Sequence, residues 1–200
     1  MPTKPEAAIQ IIAAKGGTVR TSEALSAGIH PRTLYALRDS GRLVRLSRGL
    51  YRLSDLPPVG DPDLELVAGR IPQGVVCLIS ALAIHDLTTQ IPHEIHLAIS
   101  RKARYPVLDE VPLAVYRFSH PSFSAGVTDH DIGGASVRVF DAEKSIADCF
   151  KYRNKIGLDI FLEAISLYRK RRGSSPQRVL EYARINRVGN VILPYLEATS

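Results

Sequence analysis

The sequence has 200 residues, of which 45% are apolar and 23% charged, with a formal net charge of +6. This composition is typical of a globular chain of one or two domains and excludes wholesale disorder. No apolar run reaches the roughly 18–20 residues of a transmembrane helix, and no basic segment followed by an apolar core indicates a secretory signal. Because Cys77 and Cys149 are too few for a disulfide framework or a cysteine-based zinc site, we expect a cytoplasmic protein.

The positive charge is concentrated near the N-terminus. Residues 1–60 contain nine basic and four acidic residues, so they carry +5 of the net +6. A local excess of this kind attracts polyanions, which predicts a nucleic-acid partner for this segment. A solvated basic face is the alternative interpretation.

The first quarter of the chain predicts three helices followed by a β-hairpin. The helices are expected over 4–15, from Thr21 to a stop at Gly28, and from Pro31 to Ser40. The near-alternating apolar residues of 42–53 surround Ser47-Arg48-Gly49, a pattern typical of two strands joined by a tight turn. This order of elements predicts a winged helix-turn-helix.

A proline-rich stretch follows and predicts a domain boundary. We expect a DNA-binding domain over 1–56, a linker over 57–63 and a C-terminal domain over 64–200. The C-terminal domain should open with a helix near 63–70 and a short helix over 80–87, with strands at 75–79, 94–99, 113–118 and 136–140. Helices then dominate, beginning after Asp141, at 158–172, at 176–186 and from Asn190. The expected fold class is α+β: a winged helix-turn-helix, then a mixed α/β domain ending in a helical bundle.

The third helix and the hairpin supply the candidate DNA contacts. Leu34 and Leu37 mark the buried side of the helix, so the opposite side faces outward, and the N-terminal half of such a helix meets base edges. Arginines beside the hairpin turn would meet a phosphate or the minor groove. The candidates are Arg32, Thr33, Tyr35, Ala36, Arg38, Arg45 and Arg48.

Polar residues of two C-terminal helices form a candidate interaction surface. Lys144, Asp148 and Lys151 share one face of the helix after Asp141, at i,i+4 spacing or close to it. A basic cluster ends the next helix. The expected surface comprises Lys144, Asp148, Lys151, Arg169, Lys170, Arg171 and Arg172, with a surface salt bridge as the alternative interpretation of the first three.

Three segments resemble the AbiEi-type antitoxins of abortive-infection and toxin–antitoxin systems. Residues 37–53 contain the pattern G-x-L-x-R-x-x-R-G-x-Y that ends the winged helix of that family, and 141–148 and 182–198 resemble parts of its C-terminal domain. The resemblance implies a bacterial antitoxin that represses its own operon by binding repeats in promoter DNA. It also implies a companion nucleotidyltransferase-like toxin, in a type IV system where the two proteins need not form a stable complex.

Two rival functions remain open at this point. The first is an endonuclease targeted by the winged helix, which needs paired carboxylates and a lysine around Mg²⁺. Asp141-Ala-Glu-Lys144 fits a helix start better than such a site, and Asp129-His-Asp131 predicts a polar turn. His93 and His96 would lie on opposite faces of a strand and could not chelate together. The second rival is a transcription regulator whose C-terminal domain senses a ligand. We expect no enzymatic activity, cofactor, metal or membrane partner.

Overall fold

The computed structural model describes residues 3–56, 61–132 and 135–198. The chain divides into two compact units, of which the first comprises residues 1–72 and 130–137, and the second residues 73–129 and 138–200. The mixture of helices and sheets, with helices at the C-terminal end, confirms the expected α+β fold class. No helix in the described part of the chain is both long enough and apolar enough to cross a membrane.

The first unit contains the elements predicted for a winged helix-turn-helix. Its helices are α1 (Lys4–Ala14), α2 (Thr21–Ser26), α3 (Pro31–Asp39) and α4 (Pro62–Arg70), and its strands are β1 (Thr18–Arg20), β2 (Leu43–Ser47) and β3 (Leu50–Leu53). The strands form an antiparallel sheet in the order β1-β3-β2. The wing is the β2–β3 hairpin, and its turn contains Gly49 at φ +76, a backbone conformation that favours glycine.

Local signals explain why these elements form where they do. Thr3 and Glu6 make a reciprocal capping box at the start of α1, with the Thr3 amide donating to Glu6 Oε2 at 2.7 Å. Pro31 opens α3, where its fixed φ suits the first turn. The apolar sides of the helices and of the sheet then meet in one core, which includes Ala8, Ile12, Val19, Ala24, Leu34, Leu37, Leu43 and Tyr51.

Helix α4 groups with the first unit, whereas the sequence placed residues 64–70 in the C-terminal domain. Buried Glu65 explains the grouping, because its Oε1 accepts a hydrogen bond from Thr18 Oγ1 at 2.5 Å and lies 3.0 Å from Arg52 Nε. Residues 57–60 of the expected linker lie outside the described residues, and Asp61 already caps α4. The limits of an independent DNA-binding domain stay a prediction.

The remaining helices are α5 (Leu78–Ile84), α6 (His120–Ser124), α7 (Ala142–Lys151), α8 (Arg153–Ile156), α9 (Leu158–Arg169), α10 (Pro176–Ile185) and α11 (Gly189–Ala198). The remaining strands are β4 (Val75–Val76), β5 (Ile95–Ser100), β6 (Leu113–Phe118), β7 (Val127–Ile132) and β8 (Ala135–Phe140). They form a second sheet in the order β6-β5-β4-β8-β7. Strand β4 pairs antiparallel with β5 and parallel with β8, and β5 pairs parallel with β6.

Two local predictions were wrong in this region. The apolar run 75–79 forms only the two-residue strand β4 before α5 begins, because a short, fully buried apolar run does not distinguish a strand from a buried helix. Asp129-His-Asp131 lies within β7 and not in a turn. Because β7 is an edge strand, it tolerates the polar residues that suggested a turn.

Helix α7 lies at the centre of the second unit and packs against α5, α9 and α10. Aromatic rings fill the space beside it, where the Phe150 ring meets Phe161 and Tyr195 edge-on at centroid distances of 4.8 and 5.3 Å. Seven of the ten residues of α7 are buried. A helix surrounded in this way has little surface left for polar side chains that require solvent.

Candidate nucleic-acid interface

Helix α3 presents the face that the sequence predicted. Leu34 and Leu37 are buried, whereas Arg32, Tyr35 and Ala36 are exposed. Thr33 is half-buried beside them. The side chains suited to base edges therefore lie together on one accessible side of the helix. Their contact with DNA stays a prediction.

Arg38 contacts two other side chains of α3 through its guanidinium group. Its Nη2 lies 2.7 Å from Asp39 Oδ1, and its guanidinium lies 5.1 Å from the centre of the Tyr35 ring. The hydrogen bond with Asp39 raises the pKa of Arg38. Arg38 thus lies between Tyr35 and Asp39 at the side of the helix, which fits a phosphate contact better than base readout.

The wing exposes both of its predicted arginines. Arg45 lies on β2 and Arg48 in the turn, and both are exposed to solvent. Two backbone carbonyls of the turn accept hydrogen bonds from outside the hairpin. The Thr21 amide donates to the Gly49 carbonyl at 2.9 Å, and Arg70 Nη1 donates to the Arg48 carbonyl at 2.7 Å. The wing turn is therefore fixed by α2 and α4.

Two arginines beside the wing were missed by the sequence reasoning. Arg20 ends β1 and donates through Nε to the Gly69 carbonyl, and Arg70 ends α4. Arg20 contributes to the positive charge of residues 1–60, whereas Arg70 lies beyond that segment. No sequence pattern placed α4 next to the wing, because its contacts with β1 and β3 are made at long range along the chain.

The predicted C-terminal surface was wrong for Lys144 and Asp148. Both side chains are fully buried in α7, with Lys144 Nζ 2.5 Å from Asp148 Oδ2. Lys144 Nζ also lies 4.3 Å from the centre of the Phe140 ring. The two residues form an ion pair at the expected i,i+4 spacing. Neighbouring helices cover this face of α7, so the two opposite charges neutralise each other inside the protein.

Asp148 accepts a hydrogen bond at one end of a small buried network. Asn186 Nδ2 donates to its Oδ1 at 2.6 Å, and Ser122 Oγ donates to Asn186 Oδ1 at 2.6 Å. Burial raises the pKa of Asp148, and the neighbouring Lys144 opposes that shift. These contacts tie α6, α7 and the end of α10 together, so the network has a structural role.

The other members of the predicted surface differ in exposure. Lys151 is half-buried. Burial lowers the pKa of Lys151, and repulsion from Lys144, Arg101 and Arg187 lowers it further. The negative charge of Asp148 opposes this shift. Arg169 is half-buried and donates to the Leu196 carbonyl.

The last three members lie beyond the end of α9. The exposed residues are Lys170, Arg171 and Arg172. They do not continue the helix to residue 172 as expected, since α9 ends at Arg169. Arg171 Nη2 donates to the Asp86 carbonyl at 3.0 Å, which fixes the position of this basic segment.

The carboxylates considered for a nuclease site have other partners. Asp141 caps α7 by accepting from the Lys144 amide at 2.7 Å, and Tyr182 donates to its Oδ2 at 2.6 Å. Glu143 Oε1 accepts from the Tyr168 hydroxyl at 2.7 Å. Within residues 3–56, 61–132 and 135–198, no three or more His, Cys, Asp or Glu side chains are grouped so that they could hold a metal ion.

Residues 6–54 match the family model described as "Transcriptional regulator, AbiEi antitoxin". This segment is similar to AbiEi-type antitoxins, and we refer to it as the AbiEi-type segment. The match begins in α1 and ends just after β3, so it contains α3, the wing and every predicted DNA contact. It confirms the resemblance expected from the sequence for this part of the chain, and it does not extend to α4 or the second unit.

Comparison with solved structures finds the crystal structure of the RV2827C protein from Mycobacterium tuberculosis. That protein is 15% identical in sequence, with a TM-score of 0.47, and the alignment covers 100% of this chain and 82% of that chain. Comparison with curated proteins finds no match.

Proposed function

We propose that the chain is a DNA-binding antitoxin that represses its own operon and counters a nucleotidyltransferase-like toxin in the bacterial cytoplasm. One observation carries the DNA-binding half of this proposal. The AbiEi-type segment combines an α3 face of exposed Arg32, Tyr35 and Ala36 with an exposed, anchored arginine wing. Promoter DNA with inverted repeats is the proposed target.

The geometry supports a division between base readout and backbone contact. The N-terminal half of α3 would enter the major groove, where Arg32 can form two hydrogen bonds with a guanine and Ala36 can contact a thymine methyl. The wing would carry Arg45 and Arg48 to phosphates or to the adjacent minor groove. Arg38 would reach a phosphate from the side of α3.

Arg32→Ala and Arg48→Ala should impair DNA binding in different ways. Loss of a bidentate base contact reduces discrimination between sites by about 1–3 kcal/mol, so Arg32→Ala should weaken binding to the promoter far more than to a scrambled duplex. Loss of a phosphate contact weakens binding uniformly, so Arg48→Ala should affect both duplexes equally. Fluorescence anisotropy with the full-length protein at fixed salt measures both ratios.

A matched control for these variants is Arg172→Ala, which removes the same charge from an exposed position in the second unit. It should leave both affinities unchanged. Equal weakening of both duplexes by Arg32→Ala would contradict base readout by α3.

The second unit is the proposed antitoxin unit. Its support is that five basic members of the predicted surface are at least partly accessible: Lys151, Arg169, Lys170, Arg171 and Arg172. Buried Lys144 and Asp148 are no part of this surface. The rest of the proposal, including the toxin and action without a stable complex, follows from the family resemblance. A role without catalysis is favoured because Asp141 and Glu143 already serve as a helix cap and a tyrosine acceptor.

Charge reversal of this surface should separate the two activities. We expect Lys151→Glu combined with Arg172→Glu to abolish growth rescue from the companion toxin, while promoter binding in vitro stays at the wild-type level. Arg48→Ala is the reciprocal control, since it should weaken promoter binding and leave rescue intact at equal protein abundance. Rescue that survives the double reversal, or that fails in Arg48→Ala, would exclude this division of labour.

A further inference from the structure

A cleft of about 470 Å³ lies beside the wing turn in the first unit. Three separate parts of the chain form it: the end of β1 with the start of α2, the wing, and the end of α4. The polar and charged lining residues are Arg20, Thr21, Ser22, Arg48 and Arg70. The three segments therefore bring three arginines to one concave surface.

The cleft is strongly basic. None of the described residues that line it is acidic, and Ser22 adds a hydroxyl group that can donate a hydrogen bond. The Thr21 hydroxyl donates to the Gly49 carbonyl at 3.4 Å. Guanidinium groups from different segments repel one another when they face the same space. Such an arrangement is favourable when an anion occupies the cleft, because the anion offsets that repulsion.

Backbone carbonyls hold two of the three guanidinium groups in place. Arg70 Nη1 donates to the Arg48 carbonyl at 2.7 Å, and Arg20 Nε donates to the Gly69 carbonyl. A carbonyl orients a guanidinium without neutralising its charge. The same hydrogen bond from Arg70 also fixes the wing turn, so the position of Arg48 depends on Arg70.

Arg20 also has a hydrogen-bond donor that lacks an acceptor. Its Nη2 is buried and has no hydrogen-bond partner among the described residues. A buried donor without an acceptor costs free energy, so this end of the guanidinium is not satisfied among the described residues. The three positive charges and the Ser22 hydroxyl indicate a ligand with several acceptor oxygens.

We propose that this cleft binds a phosphodiester group of the DNA backbone, with Arg20 and Arg70 acting beside Arg48. The inference rests on the proposed DNA-binding function and adds two contacts to it. The planar fork of arginine suits phosphate oxygens, and phosphate contacts fix the register of a protein on its duplex. Arg70 lies outside the AbiEi-type match, so α4 becomes part of the DNA-binding unit.

The test is the salt dependence of promoter binding by the full-length protein. Arg20→Gln and Arg70→Gln each remove one charge and keep a side-chain donor for the carbonyl. Each should reduce the slope of log K against log salt by about one and weaken promoter and scrambled duplexes equally, as loss of a phosphate contact does. Anisotropy titrations over a potassium chloride series give the slopes.

Two further variants test whether a reduced slope comes from the lost charge or from a change in the structure of the protein. Arg70→Lys keeps the charge and should keep the wild-type slope, and Arg104→Gln, an exposed arginine of the second unit, should leave the slope unchanged. A wild-type slope in both Arg20→Gln and Arg70→Gln would overturn the proposal. So would a slope reduced as much in Arg70→Lys as in Arg70→Gln. Absence of DNA binding by the wild-type protein would instead overturn the proposed function.

Discussion

We expect Asp148→Ala to lower the free energy of unfolding by about 3–5 kcal/mol, because it leaves the ammonium group of Lys144 buried without a carboxylate partner. Lys144 is fully buried, and its surroundings include the Phe118 and Phe140 rings. Asn186 would also lose the acceptor of its side-chain amide. The cost therefore combines an uncompensated charge with an unsatisfied hydrogen-bond donor.

Urea unfolding followed by circular dichroism measures this loss. Glu181→Ala is the control, since Glu181 is exposed on α10, and it should change stability by no more than about 0.5 kcal/mol. Replacing both charges, with Lys144→Met and Asp148→Leu together, should recover much of the stability lost in Asp148→Ala. If Asp148→Ala were as stable as Glu181→Ala, Lys144 and Asp148 would not form a buried, charged pair.

Glu65→Ala should destabilise the first unit by about 3 kcal/mol or more. Glu65 is 1% exposed, and its carboxylate is shared between Arg52 and Thr18. The variant removes the carboxylate from a nearly buried arginine and breaks two of the contacts between α4 and the sheet. Because α4 also carries Arg70, promoter binding should weaken together with stability.

The control for this variant is Asp63→Ala, an exposed acid in the first turn of the same helix. It should cost about 0.3–1 kcal/mol through the helix dipole. Thermal unfolding of the full-length protein measures both variants beside the wild type. A melting temperature for Glu65→Ala equal to that of Asp63→Ala would contradict the bridging role of Glu65.

The winged helix could be predicted from sequence because its signals are local. Pro31 and Gly41 bound α3, the alternating apolar residues around Arg48-Gly49 define the hairpin, and Leu34 and Leu37 fix the buried side of α3. Each of these signals acts within a few residues. The exposed candidates on α3 and the wing followed from the same periodicities.

Other features depend on contacts between segments far apart in sequence. A solvated i,i+4 pair and a buried one have the same spacing, so the sequence could not show that α5, α9 and α10 cover Lys144 and Asp148. The basic cleft was missed for the same reason. Arg20 and Arg70 line the same cleft because α4 packs against β1, and no local pattern predicts that packing.

We expect promoter recognition to reside in the first unit. Base discrimination is assigned to α3, and uniform, salt-dependent affinity to the wing and the neighbouring cleft. The second unit is assigned the action against the toxin. The first two assignments share one requirement, which is that the intact protein binds its own promoter through many phosphate contacts and prefers that sequence to others.

One titration tests that requirement most directly: the full-length wild-type protein against its own promoter and a scrambled duplex of the same length and composition, over a series of salt concentrations. We expect the affinity for both duplexes to fall steeply and linearly on a log–log plot, because each neutralised phosphate releases counterions. We also expect tighter binding to the promoter at every salt concentration. Binding that is insensitive to salt, or equal for the two duplexes throughout, would contradict sequence-specific promoter recognition by this protein.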